Sequence, residues 1–139
     1  QLYVTQSLAQ SMVDISSNKW VVFILINIFL LIAGFFLPPV AVIVMTSAIL
    51  LPVITTLGFD PYWFAIVFTI NMEIGLITPP VGLNLYIIKG ITPDVSLNEI
   101  LKGSIPFMII MGLAILILCI FPEIVTWLPD KIMGKDLGY

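Results

Sequence analysis

Long apolar stretches dominate the chain. They cover residues 20–57, 61–91 and 105–128. Each reaches or exceeds the roughly 20 residues that a helix needs to cross the hydrocarbon core of a bilayer. Because backbone groups in lipid must bond within their own segment, helices are favoured over open strands. The pattern therefore predicts an all-α membrane protein.

The first stretch, residues 20–57, is about twice the length of one span. Its centre reads Phe36-Leu37-Pro38-Pro39, with no polar turn long enough to surface fully. We predict a re-entrant helical hairpin over 20–57, whose tip stays within the membrane. Since each half has about 18 residues, two complete spans are the alternative.

The second stretch, residues 61–91, is too long for one straight span and is interrupted at 75–82. The interruption contains two prolines and has a glycine at each end. We predict a discontinuous transmembrane helix, with arms at 61–74 and 83–91 and an unwound middle.

Each proline doublet alters the hydrogen bonding of the helix before it. A proline lacks the N–H that would bond the carbonyl four residues earlier. An unpaired carbonyl deep in a membrane needs a cation, water or a polar partner. We predict that the doublets at 38–39 and 79–80 expose backbone ligands for Na⁺ at Gly34, Phe35, Gly75 and Leu76.

The half-helix that begins near Gly82 offers free N–H groups and the positive end of its dipole, which suits an anion. The solute-binding residues predicted at this break are Thr78, Pro79, Pro80, Gly82 and Asn84. The simpler alternative is that the prolines only kink the helix and that neighbouring side chains satisfy its backbone.

Glu73 is the one acidic residue inside the second stretch. An ionised Glu in mid-membrane costs about 2.5 kcal/mol or more. It is therefore expected to face a cavity, a partner or a proton, and it is a candidate for a direct ion or proton role. A position near one membrane face, or a pair with a Lys elsewhere, is the alternative.

Shorter segments complete the prediction. Residues 1–19 carry one apolar stripe among polar residues, which favours an amphipathic interfacial or connecting helix. Ser96 and Glu99 have the spacing of a capping box. The expected elements after them are a short helix at 96–103, a final transmembrane helix at 104–128 and a polar tail at 129–139.

Aromatic and turn residues mark the ends of these stretches. Trp20, Trp63 and Trp127 fall at predicted span ends, as in the aromatic belt of membrane proteins. Asp60 fits a helix N-cap and Pro61 the first helical position.

Composition narrows the class of function. With 60% hydrophobic and 9% charged residues, the chain has more apolar surface than a soluble domain of 139 residues could bury, so lipid is an expected partner. The five cationic residues form no basic patch, which argues against nucleic acid. Without His, and with one Cys, the chain has no catalytic or metal-ligand cluster, so we expect no enzyme and no cofactor.

Residues 71–85, NMEIGLITPPVGLNL, resemble the signature of the large membrane subunit of TRAP transporters, the tripartite ATP-independent periplasmic family (DctM-like). The resemblance continues through 51–52, 58–61 and 127–129, and covers nearly the whole chain. It corresponds to the last third or so of that subunit. Many members have an acidic residue where Pro38 stands, so only backbone coordination carries over at the hairpin tip.

The resemblance implies the second of two inverted repeats in an elevator-type transporter of the bacterial or archaeal inner membrane. It also implies Na⁺ coupling, a small membrane subunit and a periplasmic binding protein that delivers organic acids, usually carboxylates. The leading hypothesis is a Na⁺-coupled permease. A channel or pore-forming subunit is the alternative, and a membrane enzyme is the third class considered.

Overall fold

The computed structural model describes Ser7 and residues 18–133, and within this part of the chain every regular element is a helix. The predicted helix at 1–19 falls almost wholly outside these residues. The six helices are α1 (Lys19–Phe36), α2 (Pro39–Thr56), α3 (Pro61–Leu76), α4 (Leu83–Ile91), α5 (Leu97–Ile120) and α6 (Glu123–Met133).

Local sequence explains where the helices begin. The Asn18 side chain accepts from the Trp20 N–H at 3.0 Å and caps α1. Asp60 Oδ1 accepts from the Trp63 N–H at 2.9 Å, which confirms the predicted N-cap of α3. The predicted capping box is also confirmed, because Ser96 and Glu99 bond each other reciprocally at the start of α5.

Helices α1 and α3 run in the same direction and form the largest helix–helix contact of the structure. Phe23 of α1 lies beside Trp63 near the start of α3, with ring centroids 5.1 Å apart. At the other end Gly34 of α1 meets Gly75 of α3. Helix α2 returns between these ends, so α1 and α2 form a helical hairpin closed by residues 37–38.

One apolar core joins the helices. It is built mainly from the facing sides of α1, α2 and α3, with a single residue from α5. Its buried members are Val22, Phe23, Ile26, Leu30, Val42, Leu50, Val53, Ile54, Trp63, Phe64, Val67, Phe68, Met72 and Leu118.

The outward faces of the helices are apolar too. Helices α1, α2 and α5 are long and apolar enough to cross a membrane, by length and composition. At 1.5 Å per residue, the 18 residues of α1 or of α2 extend ~27 Å. Both arms approach the thickness of a bilayer core, ~30 Å, and the re-entrant depth of the hairpin stays a prediction.

The C-terminal elements differ from the expectation. A separate helix at 96–103 and a span at 104–128 are wrong, because α5 continues through Gly103 and Pro106 without a break. Pro106 lacks the N–H that would bond the Lys102 carbonyl, so α5 loses only one helical hydrogen bond there. This position lies in the part of α5 nearest its polar start. The helix ends before Pro122, and α6 extends past residue 129 into the predicted polar tail.

The Trp63 side chain faces the protein core rather than the surrounding lipid. It is 2% exposed, and its indole N–H donates to the Leu118 carbonyl at 2.7 Å. Pro122 stands four residues after Leu118, so this carbonyl has no helical N–H at that position. The indole therefore satisfies the carbonyl at the end of α5 and fastens α5 to α3.

We expect Trp63→Phe to lower the thermal stability of the full-length protein in detergent. The change keeps an aromatic ring but leaves the Leu118 carbonyl without its donor, which costs about 1–3 kcal/mol. Trp127→Phe is the matched control, since Trp127 is 60% exposed. Equal melting temperatures for wild type and both variants would show that the indole bond contributes nothing.

Candidate functional site

The end of α1 and the end of α3 touch backbone to backbone. A Cβ built on Gly75 would lie 2.8 Å from the carbonyl carbon of Gly34 and 2.9 Å from its oxygen. Gly34 is less crowded, since a Cβ built on it would lie 3.5 Å from the Gly75 Cα and 3.4 Å from Met72 Cε. Glycine at 75 is what allows the hairpin tip to contact the broken helix directly.

The α1 side of this contact contains carbonyls whose helical donors are prolines. Leu37 makes the last helical bond of α1, donating its N–H to Ala33 at 2.9 Å. The next two positions are Pro38 and Pro39, which have no N–H to offer Gly34 and Phe35. Carbonyl oxygens of Gly34 and Phe35 thus lack their ordinary helical donor at the hairpin tip.

On the α3 side of the contact, one of the two carbonyls that were predicted to be free has a hydrogen-bond donor. The Gly75 carbonyl, predicted to be free, accepts from the Thr78 N–H at 3.3 Å as the helix tightens at its last turn. A carbonyl oxygen has a second lone pair, so this long bond leaves Gly75 with acceptor capacity. Leu76 has Pro80 at the position of its helical donor.

Residues 77–82 separate α3 from α4, so the helix continues two residues beyond the predicted end of its first arm at 74. The Thr78 hydroxyl donates back to the Ile74 carbonyl at 2.5 Å, and the Pro79–Pro80 peptide bond is cis. Pro79 and Pro80 are exposed, whereas Thr78 is half-buried.

Gly82 starts α4 from a left-handed backbone conformation with φ +49°. A Cβ there would lie 3.0 Å from the Thr78 carbonyl oxygen and 2.7 Å from Leu85 Cδ1. Leu83 and Asn84 occupy the first turn of α4, where N–H groups have no partner within the helix. The positive end of the α4 dipole therefore follows the break within a few residues of Gly75.

An amide pair fixes α1 against α3 one helical turn before Gly75. Asn71, which is 4% exposed, donates through Nδ2 to the Asn27 carbonyl at 3.0 Å and to Asn27 Oδ1 at 3.1 Å. Asn27 in turn donates through Nδ2 to the Phe23 carbonyl at 2.8 Å. The pairing of Asn27 with Asn71 could not be predicted, because the register between helices 44 positions apart is invisible in a single sequence.

Glu73 does not join this contact. Asn71, Met72 and Gly75 are buried on the face of α3 that meets α1, whereas Glu73 is exposed. In a helix of 3.6 residues per turn, position 73 points away from that face. Within the described residues no three His, Cys, Asp or Glu side chains converge on a metal site.

Contact between a helical hairpin and an interrupted helix is an arrangement that occurs in secondary transporters. The match to known proteins agrees with this geometry. Residues 2–124 match the family of the tripartite ATP-independent periplasmic transporter, DctM component. The chain belongs to this family of large permease subunits, as its resemblance predicted.

Curated relatives carry the same family name. The C4-dicarboxylate TRAP transporter large permease proteins DctM of Vibrio cholerae and Rhodobacter capsulatus are 34% and 39% identical, over 96% and 91% of this chain. The sialic acid TRAP transporter large permease protein SiaM of Vibrio cholerae is 30% identical over 93% of it. The chain covers 29%, 29% and 30% of these three proteins, respectively, and so spans under a third of each relative.

We expect Gly75→Ala to separate α1 from α3. Its Cβ would overlap the Gly34 backbone, which cannot rotate away, and overpacking of this kind costs about 1–3 kcal/mol. Gly34→Ala meets only ordinary contacts and is expected to cost less. Gly103→Ala, where a Cβ meets nothing within 4 Å, is the control and is expected to leave stability equal or slightly raised.

The measurement is the thermal melting of the full-length variants in detergent. The order of melting temperatures predicted is Gly75→Ala lowest, Gly34→Ala intermediate and Gly103→Ala highest. Equal temperatures for the Gly75 and Gly103 variants would mean that the close helix contact does not exist in the complete protein.

Proposed function

We propose that this chain supplies half of the ion and solute site of a Na⁺-coupled permease for an organic acid. The observation that carries the proposal is the meeting of Gly34 with Gly75. It brings carbonyls at the hairpin tip, whose helical donors are replaced by prolines, against the opened end of α3.

Na⁺ is the coupling ion that this chemistry favours. Carbonyl oxygens at a break in a transmembrane helix are the ligands that coordinate Na⁺ in transporters with discontinuous helices. The ligands proposed from the hairpin are Gly34 and Phe35, and those from the broken helix are Gly75 and Leu76. Glu73 is left out of this set, because it is exposed on the far side of α3.

The proposed solute is an organic anion held at the start of α4. N–H groups of the first turn and the positive end of the helix dipole attract a carboxylate or sulfonate. Thr78, Gly82 and Asn84 lie around this helix start. The relatives' names refer to C4-dicarboxylate, isethionate and sialic acid, and all three are organic acids.

The complete protein is proposed to work as an elevator with two inverted repeats, of which this chain is the second. Its proposed partners are a small membrane subunit and a periplasmic substrate-binding protein, in the inner membrane of a bacterium or archaeon. Membership in a tripartite periplasmic transporter family supports these partners and favours a transporter over a channel.

The direct test is uptake by proteoliposomes that contain the full-length permease with its small subunit and binding protein. With an inward Na⁺ gradient, we expect accumulation of a radiolabelled C4-dicarboxylate or sialic acid. Replacing external Na⁺ by choline should abolish accumulation. Equal uptake with and without the Na⁺ gradient would contradict the coupling, and an ionic current that continued without substrate would favour a channel.

In the same assay we expect Thr78→Ala to reduce Na⁺-driven uptake about tenfold, as for the loss of one hydrogen bond to a charged group. Thr69→Ala is a matched control on α3, since the Thr69 hydroxyl also bonds a carbonyl four residues earlier, at 2.8 Å, but faces outward. Equal losses in both variants would indicate helix damage rather than a role at the break.

A further inference from the structure

Two adjoining cavities lie along the bundle, one at the end opposite the break and one that extends from there as far as Ile74, beside the break. The first, here called the polar cavity, has a volume of about 330 Å³ and lies between the starts of α1 and α3 and the turn from α5 into α6. Three carboxylates and one ammonium line it together with aromatic rings. The charged residues are Lys19, Asp60, Glu123 and Asp130.

The second cavity, here called the apolar groove, has a volume of about 420 Å³ and lies between α1, α3 and α5. Its walls are almost entirely apolar, and the amides of Asn27 and Asn71 are the polar groups along it. Trp20 and Cys119 line both cavities, so the groove continues from the polar cavity toward the middle of the bundle.

The change from a polar cavity to an apolar groove follows the change in polarity from the surface of a bilayer to its hydrocarbon core. The polar cavity is at the Trp and Lys end of α1, where interfacial side chains lie at headgroup level. The groove follows α1 and α5, two of the helices long and apolar enough to span. A polar cavity at the interface joined to an apolar groove within the span has the shape of a headgroup with an acyl chain.

We propose that the two cavities together bind one phospholipid with an amine headgroup, such as phosphatidylethanolamine. One acyl chain occupies the apolar groove, where van der Waals packing against its almost entirely apolar walls holds it.

Charge selects the headgroup. The lining of the polar cavity carries one positive and three negative groups, a net charge of −2. The lipid phosphate pairs with Lys19, whose ammonium lies 5.0 Å from the Phe59 ring centroid. The lipid amine meets the carboxylates of Glu123 and Asp130 beside the aromatic rings, an environment that favours cations. A headgroup with phosphate but no amine meets net repulsion. The polar cavity shares no lining residue with the proposed transport site, whereas the apolar groove ends at Ile74, one residue before Gly75.

The groove can be blocked from one position without disturbing the fold. Gly112 of α5 lines it, and a Cβ there meets nothing within 4 Å, so Gly112→Phe fills the groove. Gly103→Phe is the matched control, because Gly103 is on the same helix with the same free space but outside the groove.

The test is native mass spectrometry of the delipidated full-length protein with phosphatidylethanolamine or phosphatidylglycerol of identical acyl chains. We expect wild type and Gly103→Phe to bind the ethanolamine lipid about two- to fivefold more tightly, the range for one or two solvent-accessible charge pairs. Gly112→Phe is expected to lose this tight site for both lipids.

A second pair of variants tests the headgroup without touching the groove. Combined Glu123→Gln and Asp130→Asn should remove the preference for the ethanolamine lipid, whereas Asp94→Asn, in the loop before α5 at the far end of the bundle, should keep it. The proposal is overturned if wild type binds both lipids equally. It is also overturned if Gly112→Phe binds the two lipids as wild type does. That result is expected if another part of the complete protein, or a second copy, fills the groove.

Discussion

The arrangement of this chain depends on the contact between two glycine backbones, Gly34 and Gly75. Proline doublets follow both positions, so each helix loses its hydrogen-bond donors at the point where it meets the other. In lipid an unpaired carbonyl costs several kcal/mol, and such groups persist only against protein or a polar cavity. The contact brings the Gly34 carbonyl against Gly75, so the ends of the two helices meet where both lose their ordinary helical donors.

The rest of the bundle aligns this contact. Aromatic stacking of Phe23, Phe59 and Trp63 joins α1 and α3 at their starts, and the Asn27–Asn71 amides join them midway. The Trp63 indole bonds α5 to the same pair. Since α1 and α3 are fixed at three levels along their length, their ends meet in one register. Buried amide bonds of this kind are worth about 0.6 kcal/mol each in membranes, so packing supplies most of the stability.

Local signals in the sequence predicted local structure well. The prolines and caps located the hairpin turn and the start of α3, and the family signature in 71–85 identified the family. Contacts between helices were harder to predict from the sequence. Trp63 is buried in the core and Glu73 faces away from the contact, and both outcomes depend on which helix face meets a neighbour. The boundary predicted between 103 and 104 is absent because α5 continues through Gly103, where one glycine costs a helix only about 1 kcal/mol.

The central claim is that backbone oxygens around Gly34 and Gly75 hold the coupling ion. An experimental structure of the complete protein in Tl⁺, a heavy substitute for Na⁺, with anomalous scattering recorded, tests it most directly. The account predicts an anomalous peak in direct contact with the Gly34 or Phe35 carbonyl and with the 75–78 backbone, lost when Na⁺ is in excess. A straight α3 through residues 75–82, or ions bound only elsewhere, would contradict it.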